Sequence, residues 1–228
     1  MIDPAPSAAA LEVARLAKSF DGEAILRDVS FSLGRGELLV LRGESGTGKS
    51  VLLKCITRLI EPDAGMVCIF GTDAATLDAV EVRRRVLLVG QVPTLYEGTV
   101  RQNLEYPFSF KSNQHLPLPD GPSLLSMVGL SADLLDRPAA PLSVGQQQRL
   151  CIARALGLDP GILLFDEPTA ALDPAAKVVV EETILRLNRE SGRSILMVTH
   201  DVEQVRRMGA RTLVLARGMV KETEGDAG

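Results

Sequence analysis

The sequence predicts an α/β protein built on a mostly parallel sheet with helices on both faces, an antiparallel β portion near the N-terminus and an inserted helical subdomain. Three observations predict it. Short apolar runs alternate with segments of helical length, as expected of strands joined by helical crossovers. One run, Leu38–Leu41, leads into a glycine-rich turn that opens a helix. The stretch 91–141 breaks the alternation with seven prolines and short amphipathic pieces such as Ser123–Leu130.

Taken in order, apolar patterning places strands at 11–17, 28–33 and 37–42. A helix over 49–59 stops before Pro62, which cannot continue it. Strands at 65–70 and 86–90 flank a short helix at 77–85. After the proline-rich stretch come helix 145–157, strand 161–165, helix 174–190, strand 194–199, helix 201–208 and strand 211–216. Residues 11–90 and 161–221 then form the α/β core, and 91–160 the helical subdomain. Residues 1–10 and 222–228 read as flexible tails. Ligands of such sheets sit beyond the carboxyl ends of the strands.

The 228 residues suffice for a sizeable core, with 46% apolar and 24% charged residues. A net charge of −4 and a pI near 5.3 lack a basic footprint, which argues against a nucleic-acid partner. No apolar run reaches the roughly 18–20 residues that span a bilayer, and the first ten residues lack the pattern of a signal peptide. A membrane role would therefore run through a separate chain. Cys55, Cys68 and Cys151 have no ligand cluster around them and read as reduced thiols.

Gly43-Glu44-Ser45-Gly46-Thr47-Gly48-Lys49-Ser50 fits G-x-x-x-x-G-K-[ST] in its required strand–turn–helix setting. Its glycines let successive N–H groups converge on an anion, and the helix N-terminus adds partial positive charge. Lys49 is expected to reach the terminal phosphates of a nucleotide, and the Ser50 hydroxyl to ligate Mg²⁺. Alone, the motif indicates a P-loop NTPase core and no narrower class. Ile162–Phe165 is a buried-strand run that ends in Asp166-Glu167. Asp166 is expected to hold Mg²⁺ and Glu167 to polarise an attacking water. Strand-Asp-Glu by itself also fits a simple helix cap or turn.

Leu142-Ser143-Val144-Gly145-Gln146-Gln147-Gln148-Arg149 resembles the signature of ABC transporter ATP-binding subunits, usually LSGGQ, and the resemblance extends from about Leu11 to Lys221. It implies roles for further residues in family order. Phe20 resembles the aromatic on which adenine stacks. Gln91 resembles the glutamine that meets Mg²⁺ and the attacking water and senses the membrane subunit. Ala171-Leu172-Asp173 resembles the loop that follows the catalytic carboxylate, and His200 the histidine that contacts the γ-phosphate. Taken singly, Phe20, Gln91 and His200 also fit bland structural roles. The family further implies that Ser143, Gly145 and Gln146 bind the γ-phosphate held by a second copy of the chain, so that ATP is sandwiched between Gly43–Val51 of one copy and the signature of the other. Val144 departs from the usual glycine and is disfavoured at positive φ. Val51 stands where threonine is common.

The string from Gln91 through Leu104, followed by Tyr106-Pro107-Phe108, resembles FetA/YbbL-type subunits of bacterial iron-export systems, which have plant relatives linked to aluminium tolerance. Related strings occur in phosphate-import subunits. The expectation is an ATPase on the cytoplasmic face of the cell membrane, paired with itself and with a polytopic membrane subunit that docks near Gln91–Thr99. A phosphate-type importer subunit is the alternative. A soluble ABC ATPase of DNA repair or translation is a further one, although such proteins carry two cassettes or a long coiled coil.

Overall fold

The structure, a computed structural model, describes residues 9–222. Among the described residues ten strands and seven α-helices follow in the order β1 (Ala9–Phe20), β2 (Glu23–Gly34), β3 (Leu38–Arg42), α1 (Lys49–Ile56), β4 (Ala64–Ile69), β5 (Thr72–Asp73), α2 (Ala79–Arg85), β6 (Val86–Val89), α3 (Val100–Glu105), α4 (Gly121–Met127), α5 (Val144–Leu156), β7 (Ile162–Asp166), α6 (Pro174–Ser191), β8 (Ser194–Thr199), α7 (Val202–Met208), β9 (Arg211–Ala216) and β10 (Met219–Glu222). They form an antiparallel four-stranded sheet, β2-β1-β4-β5, and a six-stranded sheet, β10-β9-β3-β8-β7-β6. The second sheet is parallel except for its edge pair β9–β10.

The pleat of the parallel sheet sorts its residues onto two cores, because successive side chains point to opposite faces. Leu39, Leu41, Ile162, Leu164, Leu196 and Val198 face one buried cluster, shared with the antiparallel sheet and with Leu52, Leu53 and Ile56 of α1. Val40, Leu163, Phe165, Ile195 and Met197 face the other, shared with α5 and α6. Both faces are covered, which is why these strands read as unbroken apolar runs rather than alternating ones.

Several boundaries differ from expectation for identifiable reasons. Ala9 and Ala10 are not tail: they begin β1, Ala9 opposite Gly34, and Ala10 is fully buried. Glu222 likewise pairs with Leu213. The rest of both expected tails, residues 1–8 and 223–228, lies outside the described residues. The first two strands are longer than predicted because Asp21 (φ 49°) and Gly22 (φ 83°) make a two-residue turn with both residues left-handed, the geometry that matches strand twist. The same device, Arg217 and Gly218 at φ 51° and 77°, creates β10, which the hydrophobic pattern did not show. Helix α1 ends at Ile56 rather than 59 because Arg58 is left-handed (φ 51°), and the N–H groups of Leu59 and Ile60 both return to the Lys54 carbonyl. The Arg58 guanidinium ties that turn to the carbonyls of Ala74 and Leu77 at 3.1 and 2.6 Å.

Among the described residues no named strand falls within 91–160. The segment is not a separate core, however: Leu150, Ile152 and Ala153 of α5 share a buried cluster with Leu163 and Phe165 of the sheet. Phe165, fully buried, is a centrepiece of that shared core. Phe165→Ala is expected to lower unfolding stability by about 3–5 kcal/mol, read as a fall in the urea midpoint at unchanged slope.

Candidate functional site

The glycine loop, Asp166, Glu167 and His200 all emerge at the carboxyl edge of the parallel sheet. Strand β3 delivers Gly43, whose N–H donates to the Thr199 carbonyl at 3.3 Å at the end of neighbouring β8. A Cβ on Gly43 would lie 2.6 Å from the Leu215 carbonyl oxygen and 2.9 Å from Thr47 Oγ1, so only glycine fits. Gly46 and Gly48 have φ of 80° and 98°, which L side chains rarely adopt. Gly48 is the N-cap of α1 and supplies no side-chain cap, and the first turn of α1 holds no acid. By contrast α2, α3, α5, α6 and α7 are each capped by an Asp, Thr or Ser side chain. The positive end of α1 thus opens into the loop without a protein anion on its cap, which suits an incoming phosphate.

Lys49 is 4% exposed. Its ammonium donates to the carbonyls of Gly43 (2.8 Å) and Glu44 (2.7 Å) and lies 3.3 Å from Glu167 Oε1. Glu167 follows β7 with φ 47°, a left-handed conformation uncommon for a non-glycine residue, and its N–H donates to the Val198 carbonyl of β8 at 3.1 Å. Its second oxygen lies 2.8 Å from His200 Nδ1. Lys49, Glu167 and His200 are therefore one chain of contacts across the ends of three adjacent strands. Beside them Asp166 has its carboxyl raised above the usual carboxylate range chiefly by burial, a rise that the neighbouring Ser50 hydroxyl opposes. These two groups offer hard oxygen donors at one point, the donor chemistry Mg²⁺ takes.

A cleft of about 1070 Å³ lies over the loop, lined by Glu23–Ile25 of β2, Arg42–Thr47, His200 and the β9–β10 turn. Patterning did not single out Arg217 or Gly218 of that wall; the Arg-Gly turn was the available signal. Phe20 is not part of the lining. It stands at the end of β1, 42% exposed, with the Lys18 ammonium 5.3 Å from its ring centre. Gln91 is exposed just beyond β6 and outside the cleft. Its backbone position is set by a residue that sequence reading passed over: Gln148 is fully buried and donates to the Gly90 carbonyl at 3.1 Å. The Val51 side chain packs against the apolar core, which leaves its backbone as the part of this position that faces the loop's ligand.

Ser143, Gly145 and Gln146 sit at the start of α5, and none of them lines the cleft. Ser143 Oγ accepts from the Gln146 N–H at 3.3 Å, and Gln146 Oε1 accepts from the Ser143 N–H at 3.0 Å, a reciprocal capping box. Val144 opens the helix with 46% of its surface exposed and is not among the positive-φ residues, so its branched side chain is unstrained. Gly145 is the constrained position: a Cβ there would lie 2.9 Å from Ala176 Cβ of α6.

The sequence model of the family described as ABC transporter matches residues 26–170. Protein STAR1 of Oryza sativa subsp. japonica is 41% identical over 201 residues, covering 88% of this chain and 58% of the rice protein. The chain thus spans little more than half of that relative's length. The phosphate import ATP-binding protein PstB 2 of Natronomonas pharaonis is 37% identical over 225 residues, 93% of this chain and 78% of the relative. Among solved structures, the ATP-binding cassette MJ0796, a dimer in a post-hydrolysis state with ADP and Pi bound, superposes with a TM-score of 0.80 at 29% identity, covering 94% of this chain and 99% of that one.

Crowding at the loop gives a direct check on its geometry. Gly43→Ala is expected to cost about 1–3 kcal/mol of stability in urea unfolding. Gly90→Ala, where a Cβ meets nothing within 4 Å, serves as the near-neutral control.

Proposed function

The chain belongs to the ABC transporter family, and from that premise we propose that it is an ATP-hydrolysing subunit that works as a face-to-face pair on a separate membrane subunit. The observation that carries the proposal is the contact chain Lys49–Glu167–His200 beside the Ser50–Asp166 pair, all at the mouth of a glycine loop. In this reading the backbone of Gly43–Ser50 and the N-terminus of α1 bind the ATP phosphates, and Lys49 neutralises the terminal ones. Ser50 and Asp166 hold Mg²⁺, with Gln91 as a further contact. When bound, the ion draws charge from the phosphate oxygens.

Glu167 orients and polarises the attacking water, a role served by its fixed place at a strand end. His200, within hydrogen-bond distance of Glu167, contacts the γ-phosphate and keeps the carboxylate aimed. Phe20, exposed at the end of β1 outside the cleft lining, would offer a ring face to an adenine that projects beyond the cleft. ADP and phosphate are the products.

Pairing follows from what a single chain does not bring together. The phosphate loop and Ser143–Gln146 are separate within one copy; in this reading the start of α5, although capped by its own Ser143, offers that hydroxyl and the remaining N–H groups as a second anion site. Two copies facing each other in opposite sense would set each signature against its partner's γ-phosphate, and the similar cassette MJ0796 is a dimer. Among the described residues no helix is long and apolar enough to cross a membrane. In this reading the membrane-spanning part of the transporter is a polytopic partner docked near Gln91–Thr99, and the chain sits peripherally on the cytoplasmic face.

Two readings of the cargo have separate support. The Gln91–Leu104 string favours the FetA/YbbL type of metal export. The likeness to a phosphate-import subunit over 93% of the chain favours import.

Glu167→Gln is expected to lower ATP turnover by about a hundredfold or more while ATP binding persists, with an ATP-stabilised dimer on gel filtration. Wild-type turnover in that variant rules Glu167 out as the group that activates water. Affinity purification from detergent-solubilised membranes is expected to recover one polytopic protein. Recovery of nucleic acid or ribosomes instead overturns the transporter reading.

A further inference from the structure

Behind the Glu167–His200 pair lies a buried polar network that none of the motifs uses. Gln204 of α7 is 1% exposed, Glu181 of α6 is 3% and Thr169 is 3%. Gln204 Nε2 donates to Thr169 Oγ1 at 2.8 Å and to Glu181 Oε1 at 3.0 Å. Arg207 of α7 grips the same carboxylate with Nε and Nη2 at 2.7 and 2.8 Å. The orientation of the Gln204 amide follows from its neighbours, because the reverse would aim its oxygen at a carboxylate.

The two ends of this tie are short, rigid extensions of the two catalytic arms. Thr169 is two residues past Glu167, in a turn where the Ala170 N–H returns to the Glu167 carbonyl at 3.1 Å. Gln204 is four residues past His200, and the intervening turn is pinned twice. The Asp201 N–H donates to Thr199 Oγ1 at 3.0 Å, and the Gln204 N–H donates to Asp201 Oδ1 at 3.1 Å. Between the arms is a cavity of about 40 Å³ lined by Glu167, Thr169, Lys177, Thr199, His200 and Asp201. The β7–β8 ladder fixes the roots of the two arms, and beyond the strand ends the cross-tie spans a gap that side chains do not fill.

The tie has a cost that packing alone would avoid. Gln204 Oε1 is buried with no hydrogen-bond partner among the described residues. A buried carbonyl without a partner carries an uncompensated desolvation penalty, and an apolar side chain at this position would be free of it.

We infer that Gln204, through Thr169, is a positioning residue that sets the distance and angle between His200 and Glu167. The inference rests on the catalytic reading of that pair given above.

Gln204→Met keeps the side chain's length and leaves the Arg207–Glu181 pair intact while removing the tie. Thr169→Val removes its acceptor, and Thr169→Ser restores it. Gln204→Met and Thr169→Val are expected to lower kcat for ATP about tenfold or more with KM changed by less than about twofold. Thr169→Ser should stay near wild type. The chain has two histidines, His115 and His200, so ring-nitrogen NMR signals isolate the effect. The His200 signals should move in both tie-breaking variants while those of His115 stay. Unmoved His200 signals in a folded variant overturn the inference, as does a rise in KM at constant kcat. If Gln204→Met does not fold, Thr169→Val against Thr169→Ser decides by the same readouts. ATP turnover of the unsubstituted chain is scored separately: its absence overturns the ATPase reading, whereas the NMR comparison on the nucleotide-free protein tests the tie itself.

Discussion

A buried ammonium holds this site together. Lys49 is almost wholly withdrawn from water, and an ion removed from water carries a penalty of several kcal/mol unless every donor is met. Two carbonyls of its own loop and the carboxylate of Glu167 meet them. The loop must therefore curl tightly enough to aim Gly43 and Glu44 oxygens inward. That in turn requires glycine at 43, 46 and 48, where a Cβ would clash or the backbone is left-handed. The carboxylate must arrive from another strand, which makes the register of β7 beside β8 and of β8 beside β3 part of the site. A one-residue slip of β7 would send Glu167 to the wrong face and bury Asp166 in its place.

The sheet register explains why the remaining groups converge. In the parallel ladder Asp166 sits opposite Val198, and Arg42 opposite Thr199. The residues that follow, Glu167, Gly43 and His200, emerge together at one edge. Chemistry concentrates there because parallel strands all present their carboxyl ends on one side, where helix N-termini also begin. The half-buried Asp166 illustrates the balance: burial raises its carboxyl, and the Ser50 hydroxyl and the nearby Lys49 and Lys54 oppose that rise.

The parallel strands and their helices were legible because apolar runs buried on both faces leave a strong pattern. The glycine loop, Asp166, Glu167 and His200 were legible because each directly follows such a run. What escaped was held by backbone conformation or by side chains with no periodic signature. The left-handed pairs Asp21-Gly22 and Arg217-Gly218 lengthen or create strands, but Gly-containing dipeptides are common in loops of every kind. Ala9 and Ala10 looked like tail because alanine carries little hydrophobic signal, yet Ala10 is fully buried between paired strands. Gln148 sits in a run of three glutamines that reads as polar, while the helical turn aims only this one into the core. Polar residues in buried networks follow tertiary contacts, and those become visible only when the elements are packed.

Val144 and Gly145 show how a departure from a motif is judged by geometry rather than by likeness. In the signature the valine looked like the risk, since branched side chains resist positive φ. It occupies an ordinary helical start, with its side chain directed outward. The tight place is one residue later, where α5 crosses α6 so closely that Ala176 leaves no room for a Cβ on Gly145. A glycine there lets the two helices meet, and the residues that open α5 lie outside the cleft lining. The same small residue thus sets how α5 packs, and with it where the proposed second anion site stands.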